Sequence, residues 1–199
     1  MAPYNTPPLA KDLEHFRSIP WTAAHLSAPN TAVLSPGSRT PRPSDTGDSI
    51  FSRTLNTTST IAAFLIFHEE PPPGGRARRI DEVKGLLTLG AGLDGWPGVC
   101  HGGIVAAILD EITGLVIPLN HGRDELAGRP RSLPYAGYMT AYLNTTYQRP
   151  VPTGATVLAT ARIVKVDGRK LLVEGRIWDA ESNVLASAEA LFIGLKEKL

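Results

Sequence analysis

The chain has 199 residues, 42% of them hydrophobic, and a formal charge of +1 from 20 basic and 19 acidic side chains. That length allows one domain with its own core and an extra segment. The even charge balance excludes the basic bias of a general nucleic-acid or membrane-surface binder.

Cys100 is the one cysteine, so no intramolecular disulfide can form. No uninterrupted apolar run reaches the ~18 residues of a membrane span. The first ten residues lack the basic and apolar regions of a secretory signal. A cytoplasmic location is expected. A mitochondrial one is the alternative, because the next forty residues are rich in Ser, Thr, Arg and Pro.

Residues 1–50 read as an arm and residues 51–199 as the domain. In the arm, Leu9, Leu13 and Phe16 share one helical face, predicting a short helix over 9–17 that Pro20 ends. The rest of the arm, with Pro36, Pro41 and Pro43, is expected to be partly irregular and laid over the domain. Strands are predicted at 61–67 and 80–89. Between them, Pro71-Pro72-Pro73 and the basic run 74–79 form a loop. An almost wholly apolar helix follows over 101–119, stopped by Pro118 and Gly122, and a Gly/Arg/Pro-rich loop covers 121–135. Four strands complete the chain at 138–148, 155–166, 171–178 and 184–195. Asp167-Gly168 is a strong hairpin signal between the second and third of these. Two strands, a helix apolar nearly all round, then four strands give an α+β fold: an antiparallel sheet wrapped around one buried helix.

That helix opens at His101-Gly102-Gly103 and carries two carboxylates, Asp110 and Glu111. A carboxylate on a buried helix is costly unless it is paired or used. A helix N-terminus offers free N–H groups to a developing oxyanion. Together they point to acyl transfer, with Asp110 and the Gly102 amide as the reacting parts. Glu111 lies about 100° further round the helix, so it reads as a structural or interface residue. Gly102 and Asp110 are eight residues, about 12 Å, apart along the axis. One thioester cannot touch both in a single chain, which predicts a homodimer with antiparallel helices and two composite sites.

Other motifs fall away. Gly90, Gly92 and Gly95 match a dinucleotide-binding spacing, but Pro97 and Gly98 follow where a helix should start. The five histidines are scattered and show no metal-ligand spacing, so neither a metal nor a cofactor is implied. Cys100, at the edge of an apolar run, reads as core rather than nucleophile.

The His-Gly-Gly turn with Asp nine positions after the His resembles the hotdog-fold acyl-CoA thioesterases, and within them the thioesterase superfamily member 4 type. The stretch Met139-Thr140-Ala141-Tyr142-Leu143-Asn144-Thr145-Thr146-Tyr147-Gln148-Arg149-Pro150 looks like their second signature, and Val166-Asp167-Gly168-Arg169-Lys170 a third. The likeness covers residues 80–195. It implies a hotdog fold that is dimeric, often a dimer of dimers, acting on acyl-CoA or acyl-carrier thioesters. Asp110 would be general base or nucleophile. Gly102, with Gly103 and His101 beside it, would polarise the thioester carbonyl. Thr140 falls where the family has a Ser or Thr orienting Asp or water. CoA contacts fall on Thr146, Gln148, Arg169 and Lys170. Thr146 and Gln148 depart from the usual Asn and Lys, which keeps a carrier-bound substrate open. A dehydratase of the same fold, which pairs an Asp and a His on one loop-helix, and a non-catalytic acyl-binding protein are the alternatives.

Overall fold

The computed structural model describes residues 6–70 and 79–196. Two helices, α1 (Ala10–Arg17) and α2 (Pro20–Leu26), precede a short strand, β1 (Thr31–Leu34). Then come β2 (Ile61–Glu69), β3 (Glu82–Leu89) and a small hairpin, β4 (Asp94–Trp96) with β5 (Val99–Cys100). The long helix α3 (Gly102–Leu126) follows, and the strands β6 (Tyr138–Tyr147), β7 (Ala155–Asp167), β8 (Lys170–Trp178) and β9 (Val184–Gly194) end the fold. Seven strands form one antiparallel sheet in the order β1-β2-β3-β7-β8-β9-β6.

Alternation along the strands puts one face against α3. Val83, Leu87 and Leu89 of β3, Val157, Ala159 and Ala161 of β7 and Val173 and Ile177 of β8 line it, all buried. From α3, Val105, Ile108, Leu109, Ile112, Val116 and Leu119 meet them. Two glycines let the helix sit this low. A Cβ at Gly175 would lie 2.7 Å from the Thr113 methyl, and one at Gly85 would lie 3.0 Å from Ile112 Cδ1. By length and apolar composition α3 could cross a bilayer; half of that stretch is buried inside the fold.

Four sequence expectations change. The helix does not stop at Pro118; it runs on through Gly122 to Leu126. Proline removes one backbone donor and crowds the preceding turn, but tertiary contacts hold the far side. Asn120, 1% exposed, exchanges two hydrogen bonds with the Ile80 backbone at 2.8 and 2.9 Å. Asp124 accepts from Ser132 N–H at 2.6 Å and pairs with Arg129 at 3.0 Å. The 121–135 loop therefore begins as helix. Third, Pro20 does more than end α1, because it is the first residue of α2, where its missing N–H costs nothing.

Fourth, the arm is built into the sheet. β1 pairs with β2 from Thr31↔Glu69 to Leu34↔Ile66. Phe16 and Leu26 bury themselves with Ala63, Leu65, Phe67 and Leu86 on the outer face. Phe51 and Leu55 then join the main core on the helix side. The arm thus starts on the convex face, pairs along the β2 edge and reaches the concave face. The basic run 74–79 and the three prolines before it lie outside the described residues, except for Arg79, which pairs with Asp81 at 2.6 Å.

Candidate active site

His101 caps α3. Its Nδ1 accepts the Gly103 N–H at 3.0 Å, so this nitrogen carries no proton and a neutral ring holds its hydrogen on Nε2. This corrects the expectation for Gly103, whose amide is already spent on the cap. The Gly102 N–H is different: among the described residues nothing accepts it. Tyr147, on β6, donates its hydroxyl to the Gly102 carbonyl at 2.9 Å and so holds the helix start from the side. The β4–β5 hairpin lies beneath it; the Gly95 Cα approaches so closely that a Cβ there would stand 2.9 Å from His101 Cα. Gly90 and Gly92 serve a similar end, since a Cβ on either would press on the Ser59 carbonyl at 2.5 and 2.6 Å. Close backbone approach explains these glycines; a single 3-10 turn, Ala91–Leu93, lies among them, and the α-helix starts only at Gly102.

Two turns along α3, Asp110 is half-buried. Thr140 donates its hydroxyl to Asp110 Oδ1 at 3.0 Å. A bulge in β6 aims this threonine. The register with β9 runs Thr140↔Phe192 and then Tyr142↔Leu191, leaving Ala141 extra. Thr140 therefore shares the helix-facing side with buried Phe192, while Tyr142 turns to the outer face, where its hydroxyl meets Glu189 at 2.8 Å. Past the bulge, Tyr147 pairs with buried Ala186 and again faces the helix.

The four residues expected to hold CoA do not gather in one chain. Thr146 pairs with Ser187, and Gln148 donates its amide to the Ser187 hydroxyl at 2.7 Å. Both are on the convex face near the start of α3. Arg169 and Lys170 stand at the other end of the sheet, where Lys170 pairs with Ile193 and Ile193 with Met139. Seven strand residues, about 23 Å, separate Met139 from Thr146. Arg169 spends its Nε–H on the Gly194 carbonyl at 2.9 Å, and Lys170 is exposed.

Cys100 is 5% exposed, and burial, reinforced by the Asp94 carboxylate, pushes its thiol up to about 11. Such a thiol is no nucleophile at neutral pH. Glu111 is tied down inside the molecule: the buried Ser38 of the arm donates a hydrogen bond to its Oε1. No motif in the arm points to this partner, 73 residues away, and the role of Tyr147 is also missed. For Tyr147 a signal did exist, since alternation from Thr145 puts it on the same face as the helix.

An antiparallel sheet curled around one long helix, with that helix capped by His-Gly-Gly, is the hotdog fold. Residues 97–186 match the thioesterase superfamily model. An acyl-coenzyme A thioesterase THEM4 from Xenopus laevis is 35% identical over 111 residues, 55% of this chain and 44% of the relative. The THEM4 of Mus musculus is also 35% identical, over 42% of its length. The chain thus spans less than half the length of these curated relatives. Verlamelin biosynthesis protein B from a Lecanicillium species is 24% identical over 203 residues, 92% of this chain and 88% of that one. A crystal structure of a thioesterase superfamily protein is 28% identical, with a TM-score of 0.48 over 66% of this chain and 53% of the other.

Proposed function

We propose that the chain is an acyl-thioester hydrolase, releasing a free acid and a thiol from acyl-CoA or a carrier-bound acyl group. The observation that carries this reading is the Thr140–Asp110 contact, which leaves Asp110 Oδ2 free on the same helix as the unclaimed Gly102 N–H. Water adds to the thioester carbonyl as Asp110 takes its proton. The tetrahedral oxyanion then collapses, the C–S bond breaks, and Asp110 returns the proton to the departing thiolate. Direct attack by Asp110, with water opening the resulting anhydride, gives the same products. A helix N–H aimed at the oxyanion is worth about 10²–10³ in rate.

The dimer belongs to this proposal. β6 is an edge strand of ten residues on which Met139 is 64% and Tyr147 55% exposed. Such an edge invites a second strand. Antiparallel pairing with another β6 about a two-fold axis sets the Thr140 end of one against the Tyr147 end of the other. Asp110 and Thr140 of one protomer then approach Gly102 of its copy, and Arg169 and Lys170 approach Thr146 and Gln148. The separation that one chain imposes becomes the reason for two.

Thiol release from a panel of short, long and aromatic acyl-CoAs tests the proposal, with wild type beside Asp110→Asn. Turnover that falls at least ~100-fold in the variant supports it. No turnover of CoA esters or of acyl-pantetheine carriers by wild type counts against hydrolysis. Equal turnover in both proteins means that Asp110 is structural. Oxygen-18 from water appearing in Asp110 after a single turnover selects the anhydride route.

A further inference from the structure

The reaction outlined above makes no use of Glu111, yet the fold holds this carboxylate with care. Ser38, 5% exposed, donates to Glu111 Oε1. The next residue, Arg39, is 7% exposed and donates to the backbone carbonyls of Leu55 and Ile61 at 2.9 Å each, and of Phe51 at 3.4 Å. The peptide carrying Ser38 cannot shift without loosening that clamp. Buried guanidinium groups are usually paired with carboxylates; this one binds carbonyls, and its charge is shared electrostatically between Asp12 and Glu111.

The charged groups facing Glu111 are few. Asp110 stands beside it on α3, and from the arm come Arg39 and Asp48, the latter paired with Arg42 at 2.7 Å. Burial, then Asp48 and Asp110, push Glu111 up to about 7, while Ser38 and Arg39 favour its charged form. This carboxylate therefore changes charge in the neutral range, immediately beside Asp110.

We propose that Ser38 and Glu111 are positioning residues for Asp110: their hydroxyl–carboxylate contact locks the arm to the catalytic helix and sets the charge next to the reacting group. The inference rests on Asp110 being that group. An ionised Glu111 places a second negative charge beside Asp110; a protonated one does not. The arm is then part of the active-site scaffold.

The test is kcat/KM against pH, from 5.5 to 9 and corrected for spontaneous hydrolysis, for wild type, Glu111→Gln and Ser38→Ala. The wild-type profile should rise through an inflection near 7. Glu111→Gln should lose that inflection. Ser38→Ala should move it to higher pH by about half a unit or more, because the hydroxyl favours the ionised form. Three superimposable profiles overturn the proposal. Carboxyl-carbon NMR of glutamate-labelled protein supplies a readout that needs no turnover, with Glu111→Gln assigning the signal. A Glu111 resonance titrating near 7 and displaced upward in Ser38→Ala upholds the contact; one titrating with ordinary glutamates overturns it. Failure of every thioester to react would sink the hydrolase reading alone, and the titration would still decide the contact.

Discussion

Removing the ring of Phe16 tests whether the arm and the sheet are one folding unit. Phe16 is 0% exposed and packs with Leu26, Ala63, Leu65, Phe67 and Leu86 on the convex face. Its helix is held by two further contacts: Leu9 N–H donates to Ser35 at 3.1 Å, and His15 Nε2 lies 2.7 Å from the Thr88 hydroxyl. These anchors limit collapse around the missing ring, so Phe16→Ala should cost about 3–5 kcal/mol. With a urea slope of about 2–3 kcal/mol/M, the midpoint falls by about 1–2.5 M. Far-UV circular dichroism follows the sheet. Fluorescence of Trp21, kept as the single tryptophan by Trp96→Phe and Trp178→Phe, follows the arm. The two transitions should coincide in both proteins, at one fixed protein concentration. A midpoint shift below about 0.5 M, or an early transition seen by Trp21 alone, would refute the packing argument and make the arm a separable cover.

Other outcomes follow from the site. A Cβ at Gly102 would meet only the Tyr147 ring, at ordinary contact distances of 3.5–3.6 Å; Gly102→Ala should therefore fold normally yet lose at least about 10-fold in kcat/KM by crowding the amide. Unchanged kinetics would place the oxyanion elsewhere. Thr140→Val removes the 3.0 Å contact to Asp110 while keeping the side-chain shape, so kcat should fall about 10-fold or more with KM little changed; a pure KM effect would contradict a positioning role. With its thiol pushed up to about 11, native Cys100 should hold about a thousandth of its population as thiolate at pH 8. Iodoacetamide should leave it unmodified, and Cys100→Ala should keep full turnover.

Periodicity carried the fold because both patterns here are strong. Alternation marks β3 and β7 to β9, β2 is a continuous apolar run buried on both faces, and α3 is apolar nearly all round because the sheet surrounds it. What the pattern could not show is where a local rule yields to a distant contact. Pro118 is a helix breaker by every local criterion, yet Asn120 and Asp124 hold the last turns from segments forty residues before and eight residues after them. β1 has four residues, all half-buried, and no alternation that a sequence window would register. Its strand character comes from the unpaired edge of β2.

The site divides in the same way. Asp110 and Gly102 stand out in the sequence because one apolar helix carries both, a carboxylate in its middle and a glycine at its start. Thr140 needed the family likeness, since thirty residues and a bulge separate it from the carboxylate it meets. Gly103 misled, because a glycine next to the right one looks equivalent until the His101 ring claims its N–H. Glu111 reads from the sequence as a structural or interface residue; in the fold Ser38, in an arm whose sequence holds no motif, donates to it. The arm brings the Ser38 hydroxyl to Glu111 because its Arg39 is clamped to the Phe51, Leu55 and Ile61 carbonyls of the domain, where Phe51 and Leu55 join the main core.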